Sequence, residues 1–78
     1  MPDNSTAEED VGIACLESGQ VEKAAAHLER ALELDPLQLS AATALQAVYR
    51  KQGENEKAAT LADRMRRALQ SAPAKSVR

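Results

Sequence analysis

The sequence predicts an all-α fold of two helix-turn-helix repeats, four antiparallel helices in all, and three observations carry that prediction. Sliding the 78-residue chain against itself by 34 residues places Gly19 on Gly53 and Glu22-Lys23-Ala24-Ala25 on the identical Glu56-Lys57-Ala58-Ala59. Arg30 then falls on Arg64, Glu29 on Asp63 and Val11 on Leu45. A fixed period of this length marks a repeat architecture, in which each unit is one supersecondary element. The second observation is compositional: the apolar share is 44%, yet sixteen of those residues are alanine, Tyr49 is the only aromatic, and Val and Ile together supply five. Alanine favours helix but buries little area, so the core must come from close helix approach. The third is that Gly19 and Gly53 stand where a helix must stop and the chain reverse, a place suited to a residue tolerant of positive φ.

The elements follow in order. Ser5 followed by Glu8 has the spacing of a capping box and opens a first helix over about residues 5–18. A second helix over about 21–34 carries Val21, Ala24, Ala25, Leu28, Ala31 and Leu32 on one stripe at helical period. Asp35-Pro36 separates the units, with Asp35 expected to cap exposed amides and Pro36 to take the first position of a third helix, about 37–52. A fourth helix over about 55–71 aligns Ala58, Leu61, Ala62, Met65 and Leu69 on one side, and Asp63, Arg64, Arg66, Arg67 and Gln70 on the other. That polar side suits the solvent-facing end of a stack. In the first helix, Val11, Ala14 and Cys15 are expected to face the second, while Ile13 and Leu16 extend the apolar arc toward a groove or the open edge. The units are thus 5–38 and 39–72, with residues 1–4 expected disordered and 73–78 a flexible tail.

The net charge is −2, but it is distributed unevenly. Residues 1–35 hold nine acids against Lys23 and Arg30, a net of −7; residues 36–78 hold three acids against eight bases, a net of +5. The slight overall acidity gives no footprint for nucleic acid. Nothing approaches the roughly 20 apolar residues of a membrane span, and the start Met1-Pro2-Asp3-Asn4 lacks the pattern of a secretory signal. A lone Cys15 forms no internal disulfide, which with the missing signal fits a cytoplasmic setting.

The period, the stretch Tyr49-Arg-Lys-Gln-Gly-Glu-Asn-Glu-Lys-Ala58 and the junction Ala31-Leu-Glu-Leu-Asp-Pro36 resemble the tetratricopeptide repeat family over about residues 5–72. Gly12, Ala24 and Ala31 match the family's small residues. Departures are Glu8 and Ala42 where a large apolar residue is preferred, and Gln46 where Gly12 stands in the first unit. Further departures are the small Ala62, the large Met65, and Gln70 in place of a junction proline, so the second unit is the divergent one. The resemblance implies a short right-handed α-solenoid whose first helices line a concave partner-binding face. Carried over position by position, that face is Thr6, Glu9, Ile13, Leu16 and Glu17, then Ser40, Thr43, Ala47, Arg50 and Lys51. Some members clamp a C-terminal carboxylate there, but the matching Glu9 and Ile13 do not suit an anion.

No residues point to catalysis or to a cofactor. Cys15 has no nearby cation in sequence to lower its pKa and is read as core filling. His27 is isolated from other ligand types, so no metal is expected. Glu8-Glu9-Asp10 complements a helix start, and Arg64, Arg66 and Arg67 lack the interleaved aromatics of a nucleic-acid surface. No Gly-rich phosphate loop, hydrolase triad or paired catalytic carboxylate is found. The expectation is a non-enzymatic module binding a protein or peptide on its concave face. The alternative is a self-assembling structural repeat that stacks its acidic first unit on the basic second unit of another copy.

Overall fold

A computed structural model describes residues 4–71, and within them the chain forms four helices and no strand. They are α1 (Asn4–Glu17), α2 (Val21–Leu34), α3 (Leu39–Lys51) and α4 (Asn55–Ser71). The expected flexible ends lie outside the described residues except for Asn4, which is already the first residue of α1.

The two hairpin turns are built alike. After α1, the Gln20 amide donates to the Cys15 carbonyl at 2.8 Å and Gly19 to Leu16 at 3.1 Å. After α3, Glu54 donates to Tyr49 at 2.8 Å and Gly53 to Arg50 at 3.0 Å. This paired closure satisfies the last helical carbonyls and needs a left-handed residue, which Gly19 (φ +84°) and Gly53 (φ +76°) supply.

The junction between hairpins differs from the sequence expectation. The Asp35 side chain accepts the Leu37 amide at 3.1 Å, and its carbonyl accepts Gln38 at 3.1 Å. Asp35 therefore holds a turn with Pro36 inside it, and α3 starts at Leu39 rather than 37.

The core runs along α2, where Ala24, Ala25, Leu28, Ala31 and Leu32 are buried as the stripe predicts and Val21 is half-buried. α1 packs on α2, α3 lies between α2 and α4, and α1 touches α3 lightly. Gly12 makes the first contact close: a Cβ there would lie 2.7 Å from Leu28 Cγ.

Two assignments of faces are corrected. Val11 and Ala14 are exposed; α1 instead buries Ser5, Glu9 and Gly12, with Cys15 and Leu16 partly buried against the core. A helix with a single helical neighbour on each of two adjacent sides leaves the rest of its circumference open, and Val11 and Ala14 fall there. Leu69 is also exposed, because α4 has 17 residues against 13 in α3 and its last turn overhangs.

Candidate partner-binding surface

Four residues, Ser5, Glu9, Gln38 and Ser40, converge at the junction of α1 with the start of α3. Glu9 is 8% exposed, and its carboxylate accepts hydrogen bonds from Ser40 Oγ at 2.9 Å and from Gln38 Nε2. Gln38 also accepts from Ser5 Oγ at 2.6 Å and donates to the Ser5 carbonyl at 3.4 Å. The negative carboxylate sits at the N-terminal end of α3, where the helix dipole favours it. Glu9, placed by resemblance on the concave face, thus has its carboxylate committed inside the fold.

Glu8 is likewise used across helices rather than reaching back along α1 as the capping pattern implied. Its carboxylate meets His27 Nδ1 at 2.8 Å and Arg30 Nε at 3.4 Å. The second hairpin places Ala42 and Leu61, both buried, at the positions of Glu8 and His27. A hydrogen-bonded pair in one unit and an apolar pair in the other fill the same place.

The remaining concave-face residues separate into apolar and charged positions. Ile13, Leu16 and Ala47 are half-buried, whereas Thr6, Glu17, Ser40, Thr43, Arg50 and Lys51 are exposed. α1 and α3 share a direction, so Leu16 and Glu17 lie level with their repeat equivalents Arg50 and Lys51. Arg50 and Lys51 also occupy the last turn of α3, where cations complement the dipole. Neither forms an ion pair among the described residues.

On the other side, the backbones of α2 and α4 stand apart and leave a cleft of about 530 Å³ over α3. Leu32, Leu45 and Leu61 form its apolar part, and Glu29, Glu33, Lys57 and Arg64 its charged walls. The Tyr49 hydroxyl donates to Glu29 Oε2 at 2.6 Å, and Lys57 Nζ lies 5.8 Å from the ring centroid. Sequence reasoning missed this cleft; its available signal was the single aromatic, one period from no aromatic partner.

Burial first, and then the bond to the Glu29 carboxylate, raise the Tyr49 pKa from 10.0 to about 12. The folded chain holds this proton more tightly than the unfolded one. The resulting stabilisation is complete below pH about 10 and is lost as pH rises through about 12. Ultraviolet titration of this sole tyrosine should therefore give a midpoint near 12. Glu29→Gln should lower that midpoint without reaching the ordinary value, since burial remains; an unchanged midpoint would remove Glu29 from the cause.

No helix among the described residues is long and apolar enough to cross a membrane. No curated protein and no solved structure matches the chain. The family profile described as Tetratricopeptide repeat matches residues 9–37, which run from within α1 through α2 to the Asp35 turn. Members of that family are non-catalytic protein-interaction repeats. With four helices folded as two helix-turn-helix units and that match lying on the first, the chain carries a tetratricopeptide repeat.

Proposed function

We propose that the chain is a protein-interaction module in which α3–α4 is a second, divergent copy of the repeat and the α1–α3 face receives a protein or peptide. The observation that supports this reading most is that Ile13 and Leu16 on α1 are left half-exposed while Arg50 and Lys51 on the neighbouring α3 are not paired with any described acid. Such a face suits a segment that presents an apolar side chain beside carboxylates, whether as a helix in the groove or extended. Thr6, Glu17, Thr43 and Ala47 complete the face, and Glu9 supports it from within. The cations would act chiefly on association rate and selectivity, the apolar residues on affinity.

A displayed peptide library selected on the wild-type protein tests this. The expected winners pair an apolar anchor with Asp or Glu and lose binding to Ile13→Asp, while Arg50→Glu with Lys51→Glu shifts the selection away from acidic sequences. Winners that bind Ile13→Asp undiminished place the site elsewhere.

A further inference from the structure

The chain displays one inter-repeat joint, and both of its ends present half of another. In that joint α3 is held between α2 and α4, and Ala41, Leu45 and Val48 are at most 2% exposed. One period earlier stand Ala7, Val11 and Ala14, apolar at all three positions and exposed, because among the described residues α1 has α2 on one side and no equivalent helix on the other. At the trailing end the situation is reversed. Ser5 of α1 is buried beneath the start of α3, while its equivalent Leu39 is 48% exposed, with no third hairpin among the described residues to cover it. The two most telling exposed apolar residues, Val11 at 45% and Leu39, therefore sit on opposite edges at positions that the internal joint buries.

Charge distinguishes the edges further. The leading edge carries exposed Asp10, whose equivalent Ala44 is packed on the core; the trailing edge carries exposed Arg50 and Arg66. Arg66 stands where α2 has the buried Leu32, and it shares Asp63 with Arg67 in exposed ion pairs that exchange partners cheaply. A like-on-like contact of leading edges would bring acids together. A contact of leading with trailing edge joins acids to bases and covers Val11 and Leu39 in one step.

We propose that the molecule associates head to tail with a second copy, the trailing edge of one docking on Ala7, Val11 and Ala14 of the next in the manner of the internal joint. With Arg66 replacing Leu32, this contact buries less apolar surface than the internal one and leans on charge. It is accordingly weak, and salt loosens it. Being heterologous, it propagates to a chain of copies or closes as a ring.

Sedimentation or light scattering from micromolar to millimolar protein provides the test. Wild-type mass should at least double across that range and fall back in high salt. Val11→Asp and Leu39→Asp should each be monomeric throughout; both sites are exposed, so far-ultraviolet circular dichroism should be unchanged. Mixing the two variants should yield a species of twice the monomer mass that grows no further, because one intact joint remains. Asp10→Lys, which alters charge alone, should weaken association several-fold. A wild-type mass constant to the highest concentration overturns the proposal, as do variants that associate normally. Variants that stay monomeric on mixing overturn it too, by pointing to a two-fold contact instead.

Discussion

Leu28→Ala should destabilise the protein by about 2–5 kcal/mol, the usual cost of emptying a fully buried leucine site. Each kcal/mol lowers Tm by roughly 4–8 °C in a domain of this size. Gly12→Gln should also destabilise, because even a Cβ at residue 12 would meet Leu28 Cγ at 2.7 Å and Cδ2 at 3.0 Å. Its better helix propensity, about 1 kcal/mol, does not offset that crowding. The second hairpin uses the reverse pairing, with Gln46 at the position of Gly12 and Ala62 at that of Leu28. Large against small is thus conserved in sum while the sides are exchanged. Gly12→Gln with Leu28→Ala should therefore lose less than the sum of the single losses, with a favourable coupling of about 0.5–3 kcal/mol. Urea denaturation of the four proteins measures this directly. Strict additivity would mean that the two hairpins do not share one packing rule.

Gln38→Ala should cost about 1–3 kcal/mol although it removes only a loop residue. It takes one donor from the buried Glu9 carboxylate and one acceptor from Ser5, leaving Ser40 as the remaining bond to Glu9 named in this junction. Hydrogen exchange should show the first turns of α1 and α3 opening more readily, with the α3–α4 hairpin less affected. A loss below about 0.5 kcal/mol, the range of an ordinary surface change, would demote the network to an incidental contact.

How much of this was legible in the sequence depended on how regular each element is. The stripes on α2 and the glycines at 19 and 53 follow helical period and turn stereochemistry, and the structure reproduces both. The apolar pattern of α1 misleads because its buried side is Ser5, Glu9 and Gly12, which no hydrophobic pattern marks. The partner of those residues, Gln38, is about one full repeat away, so only the fold brings it near. The start of α3 at Leu39 is later than the sequence suggests because a proline beside Asp35 suits both a helix start and a turn. The Asp35 side chain decides between them by taking the Leu37 amide. The paired departures Gln46 and Ala62 are visible individually in the sequence, and their relation emerges only because the equivalent Gly12 and Leu28 are packed together in the fold.

The molecule extends 45 × 34 × 15 Å, and its shortest dimension is about that of two packed helix layers. Its helices meet chiefly those beside them in sequence. Short-range connectivity of this kind demands little loop closure before contacts form, which favours rapid folding. It also means that stress applied to one terminus is relieved locally: peeling α4 from α3 leaves the α1–α2 pairing with every one of its neighbours except those already lost beyond it.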